Sequence, residues 1–343
     1  MIIGHGDDLY RYQAVRFNFS SNIYSHADLS GVKKHLAACL DRIGSYPEPQ
    51  PFTLETMLAG RHGIDPSCVM VTNGATEAIY LIARAFAHSF RTGERSRYVV
   101  CHPTFSEYED ALRVAGCIPA RSGHVDDDED KMIWLCNPNN PTGEVMPADV
   151  VRRRLCNRHH LHVIDRSYED HTLSEQMTVA EGTTHDNLVQ IHSMTKTYAI
   201  PGLRLGYITA AAPLIARIRS HQHPWAVNAL AMAAGEYLLK EGTKAVNDLE
   251  AYLAETRRLR EMLDSLDGIN VDDTRTNFML CRLTDGSAAD LKTWLVEHHG
   301  ILIRDASNFK GLDKHCFRIA AQAPEENDLL VTCVADYLQK QKK

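Results

Sequence analysis

Between about residues 54 and 240, short apolar runs alternate with helical patterns, and that alternation constrains the fold of this chain more than any other feature. LETMLAGRHG reads as a helix, VMVT as a short strand and TEAIYLIARAFAHSF as a strongly amphipathic helix. The runs RYVVCHP, MIWLCNP, LHVIDRSY, LVQIHSM and LRLGYITA follow, each closed by a polar or proline-containing turn. The pattern predicts an α/β fold whose central, mostly parallel sheet is flanked by helices, with ligands gathering in the loops at strand ends.

The pattern shifts near residue 243. Residues 243 to 267 read as one long charged helix. Short strand-like pieces (FMLCRL, ILIR, CFRIAA) then surround the helical patterns AADLKTWLVEHHG and EENDLLVTCVADYLQK, as expected for a smaller α+β domain. A length of 343 residues suits such a division. The expected parts are an N-terminal segment 1–50, a large domain 51–242 and a small domain 243–343.

Composition narrows the function. A net charge of -7 supplies no basic footprint for nucleic acid. No apolar run is long enough to span a bilayer, and acidic residues stand where a signal peptide would be basic or apolar. Nine scattered cysteines without a Cys-x-x-Cys pair suit free thiols in a reducing compartment. The expectation is a soluble cytoplasmic protein without nucleic-acid or membrane partners. Two other features read as ordinary surface. The acidic run Asp126 to Asp130 is expected to be a solvated loop. His159, His160 and His162 alternate in direction along a strand, so they do not converge on a metal and are expected at helix ends and on the surface.

Five stretches carry chemistry. In TNGATEAI, Gly74, Ala75 and Thr76 open a helix whose first backbone N–H groups make an anion site, or Thr76 simply caps it. In CNPNNPTGEV the turn chemistry is dense, and Asn140 is the ligand contact of choice because its amide can donate to an oxygen. In VIDRSYED, Asp165 follows buried strand residues and so is expected to face a positive group, with the phenol of Tyr168 nearby. In SMTKTYAIPGLRLGY, Lys196 lies between apolar elements and near Arg204. Desolvation and that neighbouring cation disfavour its ammonium form, which suits a Schiff-base amine. Ser193, Thr195 and Arg204 form a donor set suited to phosphate. In GILIRDASNFKGLDKHCFRIAA, Arg304 and Arg318 suit a carboxylate or phosphate.

The order N-P-x-N-P-T-G, D-x-x-Y, S-x-T-K-x(7)-R-x-G-Y resembles the fold type I pyridoxal-phosphate enzymes of the class I/II aminotransferase group over nearly the whole chain. The resemblance implies pyridoxal 5'-phosphate as cofactor and Lys196 as its Schiff-base lysine. It pairs Asp165 with the pyridine nitrogen and sets Tyr168 and Asn140 on the ring's 3-oxygen. It gives the phosphate to Gly74, Ala75, Thr76, Ser193, Thr195 and Arg204, and stacks Phe105 of HPTFSEY on the ring. Tyr46 of SYPEPQ matches a tyrosine that reaches the partner subunit's cofactor, implying a homodimer with shared active sites whose N-terminal segments pack on the small domain and the partner.

Within the group, HGDDLYRY, HPWAVNALAMAAGEYLL and ILIRDASNFKGLDKHCFRIA are similar to the threonine-phosphate decarboxylases of cobalamin biosynthesis, cousins of the histidinol-phosphate aminotransferases. That likeness implies decarboxylation of L-threonine O-3-phosphate to (R)-1-amino-2-propanol O-phosphate, with transamination of histidinol phosphate or a related amine as the alternative. It adds His5, Asn22, Asn140, Arg304 and Arg318 as substrate contacts. The segment between Cys117 and Met132 is shorter than in the family, so a helix usual there is expected to be absent.

Overall fold

The computed structural model describes residues 8–88, 93–121, 130–242 and 244–341. His5 and Asp126 to Glu129 of the acidic run lie outside the described residues, as does most of the segment where a helix was expected to be absent.

The strands, in chain order, are β1 (Phe17–Asn18), β2 (Val69–Thr72), β3 (Arg97–Val100), β4 (Ile118–Pro119), β5 (Lys131–Cys136), β6 (His160–Asp165), β7 (Leu188–Ser193), β8 (Gly206–Ala210), β9 (Ile269–Val271), β10 (Phe278–Leu283), β11 (Ile301–Leu302), β12 (Arg304–Asp305) and β13 (Cys316–Ala320). Seven of them form one sheet in the order β2-β8-β7-β6-β5-β3-β4. The pairs from β7 through β4 are parallel, and β8 alone runs against its neighbours β7 and β2.

Helices cover both faces because successive side chains on a strand point to opposite sides. On β2, Met70 joins one core with Ile79, Tyr108 and Trp134, while Val69 and Val71 join another with Leu54, Leu58 and Leu205. On β6, Val163 and Ile164 divide in the same way. The predicted helices appear at Phe52–His62 and Gly74–Ala85, and a further helix spans Ala229–Glu241.

A four-stranded antiparallel sheet, β12-β13-β10-β9, forms a second layer with helices Leu249–Asp264, Ala288–His299 and Pro324–Gln341. The N-terminal segment is stitched to it: β1 pairs with β11, Phe19 N–H donates to the Leu302 carbonyl at 2.8 Å, and the Phe19 side chain lies in that layer's core. The helix expected over 243–267 is shorter, Leu249–Asp264. Asp248 stops it by accepting the N–H of Ala251 at 2.9 Å, a side-chain cap that sequence periodicity does not reveal.

The histidine reading needs correction. His159 is exposed, but His160 and His162 are buried on β6, the middle strand of the seven. A central strand covered on both faces has no solvent side, so even its polar positions lie inside. Burial first, then the neighbouring His160 and Arg154, lowers the pKa of His162 to about 4.

An unfolded histidine titrates near 6.5, so between 6.5 and 4 the unfolded chain binds the extra proton and stability falls as pH falls. His162→Gln is therefore expected to lessen the loss of stability between pH 7 and pH 4.5 by roughly 2 kcal/mol. Denaturant titrations at the two pH values measure this, and an unchanged difference between them would contradict it.

Candidate active site

The sheet gathers the chemistry-bearing turns at one edge. β2, β5, β6 and β7 run the same way, so Thr72, Cys136, Asp165 and Ser193 all end toward that edge, where the reversed β8 begins. Register fixes their spacing: Cys136 faces Asp165, Asp165 faces Ile191, and Gly206 faces both Ser193 and Thr72.

Beyond β5, the Asn137 side chain accepts the Met146 N–H at 2.8 Å and donates to the Met146 carbonyl at 3.0 Å, closing the turn that presents Asn140. Asn140 Oδ1 accepts from Arg318 at 2.5 Å, which leaves its amide nitrogen as a donor. At the end of β6, Asp165 Oδ1 accepts the Ser167 N–H at 2.8 Å and Oδ2 accepts the Tyr108 hydroxyl at 2.7 Å. Burial raises the pKa of this carboxyl, opposed first by the Ser167 hydroxyl and then by the Tyr108 hydroxyl and the Ser167 N–H. The cationic partner expected for Asp165 is not a side chain: among the described residues it forms no ion pair.

Tyr168 is buried, its pKa pushed up to about 12 by burial, and its phenol oxygen accepts from Asn22 Nδ2 at 3.1 Å. A four-residue helical turn, Met194–Thr197, presents the half-buried Lys196, whose Nζ donates to the Ser21 carbonyl at 2.7 Å.

Two close approaches shape the other end. Gly74 has φ +81, and a Cβ there would lie 2.8 Å from Arg204 Nη2. A Cβ at Gly206 would lie 2.8 Å from the Ala75 backbone nitrogen. The Arg204 side chain thus lies against the first turn of the Gly74–Ala85 helix, beside N–H groups without intrahelical partners. Arg204 is itself left-handed, at φ 57, a conformation uncommon for a residue with a Cβ. Thr76 is not the cap; Asn73 holds that position and makes no side-chain cap bond.

The second layer contributes Arg304 and Arg318, opposite one another on β12 and β13 and both buried. Arg304 donates to Asn308 Oδ1 at 2.7 Å. Arg318 donates to Asn140 and to the Ser20 carbonyl, both neutral, and its buried Nε has no partner. Burial brings its pKa down to about 10, with Arg304 adding to the effect and Tyr168 opposing it.

Ala75, Thr76, Phe105, Asn140, Asp165, Tyr168, Ser193, Thr195, Lys196, Arg204, Arg304 and Arg318 line a single cavity of about 260 Å³. Gly74 lies under Arg204 and Asn22 behind Tyr168, so neither lines it. Tyr46 is 85% exposed, 5.2 Å from the ring of Trp225, and is not part of this chain's cavity. Sequence reasoning missed Tyr108, Cys136, Asn308 and Phe309, which also line it. Asn308 and Phe309 sit inside a stretch already singled out for its arginines. Tyr108 had a signal as well, three residues after Phe105 where a helix starts.

The sequence matches the family profile of class I and II aminotransferases over residues 15–334, and the chain belongs to that family. It is similar to threonine-phosphate decarboxylase of Salmonella typhimurium, at 30% identity over 94% of this chain and 91% of the relative. The crystal structure of L-threonine-O-3-phosphate decarboxylase from Porphyromonas gingivalis superposes with a TM-score of 0.88 at 37% identity, covering 94% of this chain and 99% of that one. Histidinol-phosphate aminotransferase of Thermoanaerobacter pseudethanolicus is 28% identical over 87% of this chain and 85% of the relative.

Pyridoxal 5'-phosphate is the cofactor of this family, and the cavity fits it. A buried carboxylate without a cation suits a protonated ring nitrogen. The amide nitrogen of Asn140 and the phenol of Tyr168 suit the ring oxygen. The helix start with Arg204, Ser193 and Thr195 suits a phosphate.

Gly74→Ala tests the phosphate end, because its Cβ would displace Arg204 and force an L residue into a left-handed position. Affinity for pyridoxal 5'-phosphate, followed by absorbance or calorimetry, is expected to weaken by about tenfold or more. An unchanged affinity in a folded variant would remove Arg204 from the phosphate site.

Proposed function

We propose that this chain decarboxylates L-threonine O-3-phosphate to (R)-1-amino-2-propanol O-phosphate with bound pyridoxal 5'-phosphate. The observation that carries this reading is the pair Arg304 and Arg318, two buried guanidiniums at the cavity that holds Lys196. Arg318 in particular meets only neutral protein groups. Cations so desolvated call for anionic ligands, and a phosphorylated amino acid brings a carboxylate and a phosphate together. The relatives named threonine-phosphate decarboxylase, similar over more than nine-tenths of the chain, support that substrate class.

When bound, the cofactor supplies an electron sink that takes up the pair left when a bond to the substrate's Cα breaks. The rest falls to side chains of this chain. Asp165 holds the proton at the ring nitrogen, which a neutral residue would not do. Asn140 and Tyr168 hold the ring oxygen, and Phe105 covers the ring face. Ala75, Thr76, Ser193, Thr195 and Arg204 hold the cofactor phosphate. Arg304 and Arg318 would bind the substrate's anionic groups and so orient its Cα bonds. Lys196 would hold the cofactor between turnovers and deliver to Cα the proton that replaces the departing carbon dioxide. Asn22 supports Tyr168 from behind, and its buried Oδ1 is left without a partner.

The exposed Tyr46 beside Trp225 suits a homodimer in which Tyr46 reaches the partner's cofactor phosphate. Nine free cysteines suit the cytoplasm. The N-terminal segment, the large sheet with its helices and the C-terminal layer are taken as the three parts 1–50, 51–242 and 243–343.

Purified protein with pyridoxal phosphate and L-threonine O-3-phosphate, given no keto acid, is expected to release carbon dioxide. Lys196→Ala should lower that rate by a factor on the order of 10³ or more. Arg318→Gln should lower kcat/KM by about a hundredfold. If no carbon dioxide appears and histidinol phosphate is instead converted with 2-oxoglutarate, the chain is an aminotransferase. Sedimentation is expected to give a dimer, with Tyr46→Phe weakening cofactor affinity but not dimer formation; a monomer would overturn the shared site.

A further inference from the structure

Tyr108 stands on the helix Glu107–Val114 and is fully buried, with 1% of its surface exposed. Its ring is wedged between two others. Trp134 lies 5.6 Å away and tilted by 33°, and Phe105 lies 5.7 Å away edge-on at 83°. A ring held on two sides places its hydroxyl at one point in space. That hydroxyl donates to Asp165 Oδ2 at 2.7 Å, while the Ser167 N–H donates to Oδ1 at 2.8 Å.

We infer that Tyr108 is a positioning residue, whose hydroxyl fixes the plane and direction of the Asp165 carboxylate for the ring nitrogen of the cofactor. The inference rests on the cofactor reading above. Two donors arriving at different oxygens stop the carboxylate from rotating, and each oxygen keeps a lone pair for the ring N–H. Tyr108 donates to Asp165 Oδ2 from one side, and Ser167 supports the carboxylate from its own N–H and hydroxyl. The other titratable groups around the carboxylate do not replace Tyr108. The Cys136 thiol on β5, pushed up to about 12 by burial, is directed to the Pro138 carbonyl at 3.1 Å. His192 on β7 is bound at Nδ1 to Glu169, at 2.6 Å, and at Nε2 to Thr209 Oγ1, at 2.8 Å. The Tyr168 hydroxyl accepts from Asn22, and among the described residues no hydrogen bond joins it to Asp165.

The electrostatics run in the same direction. Burial, and then the Asp165 charge, hold the Tyr108 phenol well above its usual range, so it remains a donor at any working pH. Burial raises Asp165 toward its neutral form, and the Tyr108 hydrogen bond opposes that. Removing the hydroxyl therefore moves protonation of Asp165 to higher pH, and a protonated Asp165 brings no negative charge to a protonated ring nitrogen.

The test uses the full chain and reads cofactor affinity against pH. Wild type is expected to lose affinity for pyridoxal 5'-phosphate on an acid limb where Asp165 protonates. Tyr108→Phe keeps both ring contacts. It is expected to move that limb up by about one pH unit and to weaken affinity at neutral pH by about tenfold, the size of one hydrogen bond to a charged group. Replacing Tyr108 with 3-fluorotyrosine, a stronger donor of nearly the same shape, should move the limb the other way. A merely structural ring would leave the limb in place in both variants, and that result overturns the inference alone. Should the phenylalanine variant not fold, the fluorinated one still reads the limb. A wild type that binds no pyridoxal phosphate would overturn the cofactor reading and this inference with it.

Discussion

Asp165 and Arg318 carry opposite charges into one cavity, and neither neutralises the other. Both are buried, and the protein partners of each are neutral donors or acceptors. Taking an ion out of water is costly, and pairing these two would have offset the cost within the chain. Kept apart, with Tyr168 between them in the sense that its phenol responds to both, they pass the requirement for a counter-charge to whatever fills the cavity. A ligand with a cationic ring nitrogen at one end and an anionic substrate at the other meets both demands.

Keeping the two apart is the task of the fold. Asp165 is fixed by the middle strand of the large sheet, whose register leaves it no freedom along β6. Arg318 comes from β13 of the other layer, and its grip on Asn140 and Ser20 bridges three distant parts of the chain. Lys196 makes a similar bridge to Ser21. The segment from Ser20 to Asn22 is therefore a common floor. It accepts from both cations through backbone carbonyls and supports Tyr168 through Asn22. A carbonyl dipole can hold a guanidinium in place without cancelling its charge, so Arg318 keeps its charge for a ligand.

What the sequence made legible follows the range of the interactions. Six strands of the large sheet were legible because each is a local apolar run, whereas the two-residue β4 is not one. The residues proposed to hold the cofactor were legible because most sit within a few positions of a strand end. Arg304 and Arg318 stood out in the sequence through their apolar neighbours, and the structure buries both at the cavity. Three features were hidden. The start of the Leu249–Asp264 helix depends on one side-chain cap that periodicity does not register. The burial of His160 and His162 depends on β6 being the central strand, and strand order is a property of the whole sheet. The lack of a cation beside Asp165 was hidden because an acid behind an apolar strand implies some positive group without saying that the group belongs to the protein.

Tyr108 shows the same limit from the other side. HPTFSEY offers two aromatic residues three positions apart, Phe105 just before a helix and Tyr108 in its first turn. Which ring covers the ligand and which supports an acid is decided by Trp134 on β5 and Asp165 on β6, one across the core and the other across the cavity floor. The cofactor is thus written into local motifs, whereas the tuning of its ring nitrogen depends on a contact 57 residues apart in sequence. The proposed grip on the substrate rests on a longer reach still, the 178 residues between Asn140 and Arg318. Chains that share the short motifs can therefore share the cofactor and differ in reaction, because the contacts that orient substrate are made by the fold and not by the motif.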